Sequence, residues 1–131
     1  MDDPCCVNFQ ETVSSLLIRH RSILDVLSKF QETNARVNRS IVKAVTSCGC
    51  LRIKADKQAF PEDLLFCDIS KYMDDHLEGE LCESCREIIE SELGRNLFYF
   101  TALCDLFGFS LCDIMVAERE KLAALGRFTL T

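Results

Sequence analysis

Residues 82–108 read CESCREIIESELGRNLFYFTALCDLFG and combine a pair of cysteines with a long helical pattern. Apolar side chains recur there at steps of three and four, at Ile88, Ile89, Leu93, Leu97, Phe100, Leu103, Cys104 and Phe107. This spacing places them on one face of an α-helix. We therefore predict a helix that begins near Cys82 and ends at Gly108, because glycine commonly follows the last helical residue.

A second helix is predicted directly after this stretch. Ser110 and Asp113 have the spacing of a capping box, in which the serine side chain accepts a backbone hydrogen bond at the start of a helix. The apolar residues that follow recur at helical steps, at Leu111, Ile114, Met115, Leu122 and Leu125. Gly126 is then the expected end of this last helix.

The N-terminal third of the chain is also predicted to be helical. Apolar residues recur at helical steps from about Asn8 to about Thr46, and no glycine or proline interrupts them. The pattern is compatible with one long helix over residues 8–46 or with two. We favour two helices that break at the polar residues 31–34, because a small domain has to fold back on itself.

The region between these helices contains the least regular sequence. Residues 48–50 read CGC, and the central glycine is expected to end the first helical segment. Residues 51–54 alternate between apolar and basic side chains but are too few to predict a strand. Asp68 or Ser70 is a suitable cap for a short helix that ends at Gly79. The prediction is an all-α bundle of four or five helices, a single helical domain over residues 1–131 with a cysteine-bearing loop.

Composition narrows the class of protein. The chain has 131 residues with 48% hydrophobic side chains, enough for a packed core, and its net charge is −6. No basic cluster and no apolar run of ~18 residues is present, so we expect neither nucleic-acid nor membrane binding. The acidic N-terminus lacks an apolar signal region, and an odd number of cysteines, nine, argues against a disulfide framework. A cytoplasmic protein is therefore expected.

Four of the cysteines form two closely spaced pairs, C-x-C and C-x-x-C, at Cys48, Cys50, Cys82 and Cys85. Two such pairs supply the four thiolates of a tetrahedral metal site, and the second pair lies at a helix start, where backbone N–H groups favour thiolate. Zinc is the expected metal and an iron–sulfur cluster is the alternative. Cys67 and His76 are possible substitute ligands, whereas Cys104, Cys112 and His20 lie on apolar faces and are predicted core residues.

The C-terminal half also resembles a known family. Residues 92–100 read ELGRNLFYF, residues 103–108 read LCDLFG, and a helix rich in glutamate and lysine follows. These features are similar to the second half of the MazG-type all-α nucleoside triphosphate pyrophosphohydrolases, with their E-L-x-D-x-L-x-Y-L helix and L-G-I-D-L loop. The CGC and C-x-x-C pairs also resemble those of short, uncharacterised clostridial proteins along most of the chain.

The MazG resemblance implies a Mg²⁺ site of carboxylates from two facing helices, a nucleotide ligand, and a homodimer or larger assembly. The candidate catalytic residues are Glu32, in the segment that matches E-E-x-x-E, and Glu92, in the segment that matches E-x-x-D. Arg95 stands where the family has the aspartate, so the hydrolase centre is expected to be degenerate. Arg36, Arg39 and Arg95 form an alternative phosphate-binding set, although surface charge is the simpler interpretation.

These observations predict a small cytoplasmic metal-binding helical protein of MazG-like fold, with a structural or regulatory role and no catalysis. The first alternative is a divergent Mg²⁺-dependent nucleoside triphosphate pyrophosphohydrolase. The second is an iron–sulfur or thiol redox sensor that uses the same four cysteines.

Overall fold

The computed structural model describes residues 4–17, 21–63 and 65–126, apart from the side chains of residues 66 and 67. Within these ranges the chain forms four α-helices: α1 (Pro4–Leu16), α2 (Ile23–Lys43), α3 (Glu83–Leu106) and α4 (Leu111–Leu125). The predicted predominance of helix is confirmed. The helix predicted to begin near Cys82 and the helix predicted after Ser110 are α3 and α4.

The first helical segment is interrupted at a different place from the predicted one. Residues 31–34 lie in the middle of α2, which begins at Ile23 after the non-helical residues 21 and 22. Two side chains of the polar run find partners within the helix: Glu32 pairs with Lys29 and Arg36 on neighbouring turns, and the Thr33 hydroxyl donates to the Phe30 carbonyl. The Ser22 carbonyl accepts the Val26 N–H at 3.0 Å, which starts the hydrogen bonds of α2.

The region between α2 and α3 contains a small β-ribbon. A π-helical turn, Ala44–Cys48, continues α2, and the strands β1 (Leu51–Ile53) and β2 (Leu77–Gly79) pair antiparallel. A 3₁₀ helix, Phe66–Lys71, lies between the two strands in the sequence. The predicted short helix that ends at Gly79 is therefore wrong in its second half. Leu77 pairs with Ile53 in the ribbon rather than continuing a helix.

Contacts divide the chain into two compact units. Unit 1 consists of Met1–Arg36 and Glu92–Thr131, and unit 2 is Val37–Ser91. The main core of unit 1 is built from Val13, Leu17, Val26 and Ala102, none more than 2% exposed. Aromatic and aliphatic side chains of α1 and α3 pack against this core, namely Phe9, Phe98, Tyr99, Leu103 and Leu106. Unit 1 therefore has an apolar core made by three helices.

A second cluster in unit 1 joins α1 to α4. Cys6, Leu111 and Cys112 are buried together, and the Ser110 hydroxyl accepts the Asp113 N–H at 3.2 Å, as the predicted capping box requires. Cys104 and Cys112 are core residues as predicted. Cys6 is buried as well. His20 lies outside the described residues.

Among the described residues, unit 2 has fewer buried side chains than unit 1. Ala44, Leu51 and Ile89 form its buried cluster, one each from the π-helical turn, β1 and α3. Four partly buried side chains pack against this cluster, and two of them are paired cysteines: Val45, Cys50, Leu81 and Cys85. Three buried residues, among those that the structure describes in this 55-residue unit, are a small apolar core.

Among the described residues, no single helix is both long enough and apolar enough to cross a membrane. Only α3 and α4 taken together meet that requirement, and they are bent by 103° at the break between them.

Candidate metal centre

The first thiol pair is placed by the end of the π-helical turn. Gly49 adopts φ of +79°, a left-handed conformation that glycine accepts at little cost, and its N–H donates to the Ala44 carbonyl at 2.9 Å. The chain therefore reverses direction between Cys48 and Cys50. The Cys50 thiol approaches the same Ala44 carbonyl at 3.8 Å, so both cysteines stay beside the last helical turn.

The β-ribbon brings the second pair next to the first. Leu51 pairs with Gly79, so the residue before β1 and the residues after β2 lie at the same end of the ribbon. A Cβ atom at position 79 would collide with the Cys50 carbonyl oxygen. Gly79, at φ of +86°, therefore permits the close approach that places Cys50 beside the chain leading to Cys82.

The second thiol pair occupies the N-terminal end of α3. Cys82 directly precedes the first helical residue, and Cys85 lies in the first turn. The Cys82 sulfur accepts the backbone N–H of Cys85 at 3.4 Å, in the manner of a helix cap. The first N–H groups of a helix have no carbonyl partner within the helix, and here the Cys85 N–H donates to the Cys82 sulfur instead.

The four sulfur atoms of Cys48, Cys50, Cys82 and Cys85 all lie within 4.8 Å of one another. The Cys48 and Cys82 sulfurs are 3.7 Å apart. With metal–sulfur bonds of about 2.3 Å, the thiolates of a tetrahedral site are separated by about 3.8 Å. The Cys48–Cys82 separation therefore agrees with two ligands of a single ion, and the other two sulfurs lie close enough to join them.

The electrostatics of the cluster favour one thiolate in the absence of a cation. Hydrogen bonds to the Cys82 sulfur, first from the Cys85 backbone N–H and then from neighbouring thiols, lower the pKa of Cys82 to about 7. The thiol of Cys85 donates to Cys82, and partial burial adds to the effect, so the pKa of Cys85 is raised to about 12. Contact with Cys82 also raises the pKa of Cys48. Further thiolates accumulate only when a metal cation compensates their mutual repulsion.

The cluster is partly open to solvent. Cys48 is exposed and Cys82 is partly buried, whereas Cys50 and Cys85 pack against the buried side chains of Ala44, Leu51 and Ile89. An ion has an entry path along the Cys48 side, while the apolar residues support the other side of the site. The geometry suits a bound ion that ties together the end of α2, the β-ribbon and the start of α3.

Of the two substitute ligands considered from the sequence, His76 does not join the cluster. Its ring lies 3.9 Å from the Asp74 carboxylate, and its backbone takes an unusual φ of +61° in the turn before β2. The side chain of Cys67 lies outside the described residues. The four paired cysteines are the only group of three or more potential metal-binding side chains found among the described residues.

The two candidate catalytic carboxylates have different surroundings. Glu32 is exposed and paired with Lys29 at 3.2 Å and with Arg36 at 3.3 Å, and these partners hold its pKa below the usual value. Glu92 is partly buried, and its Oε2 atom makes no hydrogen bond within the described residues. Neither glutamate belongs to a group of three or more potential metal-binding side chains among the described residues.

The three arginines considered as a phosphate site are all exposed. The guanidinium of Arg36 is already paired with Glu32 on the same helix. Arg39 belongs to unit 2 and Arg95 to unit 1, where it lies on the solvent side of α3. The described contacts gather no anion-binding set from these residues.

Sequence reasoning missed the β-ribbon that joins the two thiol pairs. Its signal was present but short: residues 51–54 alternate in polarity, and Leu77 and Glu78 precede a glycine. The cross-strand ion pairs of Arg52 and Lys54 with Glu78, at 3.8 and 4.0 Å, complete the pattern.

Comparison with protein-family models, curated proteins and solved structures finds no match to this chain. The MazG and clostridial resemblances therefore remain predictions. What the structure establishes is a helical protein with a cluster of four cysteines that can hold a metal ion.

Proposed function

We propose that this protein binds one zinc ion through Cys48, Cys50, Cys82 and Cys85, and that the ion fixes the structure of unit 2. The observation that carries the proposal is the mutual approach of four sulfur atoms to within 4.8 Å. Four thiols this close together add little to stability unless a shared cation binds them. The reason is that any sulfurs that ionise repel one another.

The separation of the sulfurs favours a single ion over an iron–sulfur cluster. A cluster places two or four irons and their bridging sulfides between the cysteine sulfurs, which holds those sulfurs farther apart than one ion does. The 3.7 Å between the Cys48 and Cys82 sulfurs instead agrees with the edge of a single-ion tetrahedron. Zinc is the commonest ion for four thiolates in that geometry.

The role proposed for the ion is structural. Four protein thiolates fill a tetrahedral coordination sphere and leave no position for water or substrate, which a catalytic zinc requires. The elements tied together belong to a unit in which the buried apolar core of the described residues consists of Ala44, Leu51 and Ile89. Zinc binding supplies free energy that this core lacks. We place the protein in the cytoplasm, where free thiols persist.

Cobalt substitution tests the coordination directly. We expect protein prepared without zinc under reducing conditions to bind one Co²⁺ per chain and to develop the visible bands and sulfur-to-metal charge-transfer absorption of a tetrahedral thiolate site. Zn²⁺ should displace the cobalt and remove the colour.

The Cys5→Ser variant is the matched control and should give the same spectrum, since Cys5 is exposed in α1, outside the group of four. A six-coordinate, nearly colourless cobalt complex would refute the proposal. A brown protein with sulfide-bridged iron absorption would support a cluster instead.

A further inference from the structure

The four sulfur atoms do not occupy equivalent places in the cluster. Cys48 is exposed, whereas Cys50, Cys82 and Cys85 are partly buried. Cys50 is directed toward the Ala44 carbonyl, and Cys85 is held within the first turn of α3 and packs against the buried cluster of unit 2. Cys48 and Cys82 face each other at 3.7 Å. An oxidant from solvent therefore reaches Cys48 first. The Cys82 sulfur lies close enough to react with the oxidised Cys48 sulfur.

We propose that Cys48 and Cys82 are a redox pair, which peroxide converts to a disulfide with release of the metal ion. The inference rests on the metal site proposed above and assigns that site a regulation. The sulfurs need to approach by less than about 2 Å to reach bonding distance. Side-chain rotation at the exposed Cys48 supplies such a movement without displacing α3.

The chemistry balances with one hydrogen peroxide per site. The sulfur of Cys48 attacks one peroxide oxygen, the O–O bond breaks, and the products are a sulfenic acid on Cys48 and one water. The sulfur of Cys82 then attacks the Cys48 sulfur, forming the S–S bond and releasing the sulfenic oxygen as a second water. The two ligand thiolates lose two electrons in total, and hydrogen peroxide takes up these electrons together with two protons from solvent to give two waters. Cys50 and Cys85 alone cannot hold the tetrahedral ion, so it leaves.

The disulfide joins the same elements as the ion. Cys48 ends the π-helical turn and Cys82 immediately precedes α3, so a bond between them closes the chain around the β-ribbon. Oxidation therefore removes the metal while keeping unit 2 closed. We expect the oxidised, metal-free protein to unfold at a higher temperature than the reduced, metal-free protein, because the cross-link restricts the unfolded chain.

The test uses the full chain loaded with zinc under argon and treated with increasing hydrogen peroxide. Released zinc is measured with a chromogenic chelator, and disulfides are mapped by mass spectrometry after free thiols are blocked. We expect one zinc released per chain at the same peroxide dose that forms the Cys48–Cys82 disulfide. Dominant pairing of Cys82 with Cys85, of Cys48 with Cys50, or of any of these with Cys5 would overturn the inference.

Two double variants separate this inference from the proposed function. Cys50→Ser/Cys85→Ser lacks two ligands but keeps the redox pair, so it should form the Cys48–Cys82 disulfide readily. Cys48→Ser/Cys82→Ser also keeps two of the four thiols and should form a Cys50–Cys85 disulfide at least tenfold more slowly. If wild-type protein binds no metal yet the first variant cross-links, the proposed function fails and the redox pair stands. If the metal binds but the two variants cross-link equally fast, the redox pair fails alone.

Discussion

Unit 1 and unit 2 are stabilised by different means. Unit 1 buries Val13, Leu17, Val26 and Ala102 almost completely, with a second cluster around Leu111. Unit 2 buries Ala44, Leu51 and Ile89 and adds four cysteines whose sulfurs lie within 4.8 Å of one another. An apolar core needs only the hydrophobic effect, whereas a thiol cluster contributes to stability when a cation is bound to it. The contrast predicts that the two units respond differently to the same perturbation.

Removal of one ligand should have the largest effect. We expect Cys82→Ser or Cys50→Ser to lose about one metal equivalent per chain and to destabilise unit 2 by several kcal/mol, because three thiolates no longer complete the site. Metal content and thermal unfolding followed by circular dichroism measure both effects. Most of the helical signal should survive, since the core of unit 1 contains none of these cysteines.

The control for the ligand variants is Cys104→Ser, a change at a buried cysteine of unit 1 that is not one of the four. Burial raises the pKa of Cys104, which keeps it a neutral thiol. This variant should keep the metal. Equal metal loss in Cys104→Ser and Cys82→Ser would contradict the assignment of the four ligands.

The reverse perturbation is a cavity in unit 1. Leu17 is 2% exposed, whereas its neighbour Leu16 is 62% exposed. We expect Leu17→Ala to lower the free energy of unfolding by about 2–5 kcal/mol without changing the metal content. Leu16→Ala should alter stability by no more than about 0.5 kcal/mol. Chemical denaturation with parallel metal analysis makes the comparison, and metal loss in Leu17→Ala would show that the two units are not stabilised independently.

The sequence predicted these two regions unequally well. The period of apolar residues was sufficient for α3 and α4, and the S-x-x-D signature at Ser110 gave the start of α4 correctly. Ser22 and Asp25 have the same spacing at the start of α2, so the break before Ile23 carried a usable signal. The polar residues 31–34 were misleading because the ion pairs of Glu32 with Lys29 and Arg36 along one helix are invisible to a hydropathy pattern.

The four ligands were predictable because the spacing within each pair is local. The approach of the two pairs to each other was less predictable, because it depends on the register in which Leu51 pairs with Gly79. Three-residue strands carry too little alternation to be recognised singly. The approach of Gly79 to the Cys50 carbonyl depends on tertiary structure, and the sequence offers only the glycine itself.

Unit 1 also has an apolar surface on the side of α3 next to α2. Leu93, Leu97 and Phe100 recur at steps of four and three and are 51%, 46% and 37% exposed. The Asn96 amide donates to the Asn34 side chain at 2.6 Å, and within the described residues neither the Asn34 amide nor the Asn96 carbonyl oxygen makes a further hydrogen bond. The Asn34 amide donor and the Asn96 carbonyl acceptor lie side by side and are uncharged. The same two groups of a second copy of the chain are therefore complementary to them. We therefore propose that a second copy of the chain covers this surface.

Self-association gives the next prediction. We expect a dimer at micromolar concentration by light scattering, and we expect Leu97→Asp to shift it toward monomer because two buried carboxylates would face each other across the interface. Leu122→Asp, at a 42% exposed position of α4, is the matched control and should stay dimeric. A wild-type monomer throughout this concentration range, or equal dissociation of both variants, would contradict the proposal.

The smallest effect is expected at the candidate catalytic carboxylates. Glu32 is paired with Lys29 and Arg36, and Arg95 replaces the aspartate that the resemblance requires. We therefore expect no appreciable Mg²⁺-dependent pyrophosphate release from a panel of nucleoside triphosphates, and no difference between wild type and Glu92→Gln. Turnover of ~1 s⁻¹ or more that Glu92→Gln abolishes would establish the hydrolase instead.

The proposed difference between the units rests on a single bound ion, and the stoichiometry of that ion is the most direct measurement. Protein purified anaerobically under reducing conditions, without added metal, should contain one zinc per chain by elemental analysis and show no visible absorption. Extraction of that zinc with a chelator should unfold unit 2 and leave unit 1 helical. Reduced protein with no metal, whose stability does not change when Zn²⁺ is added, would contradict the account.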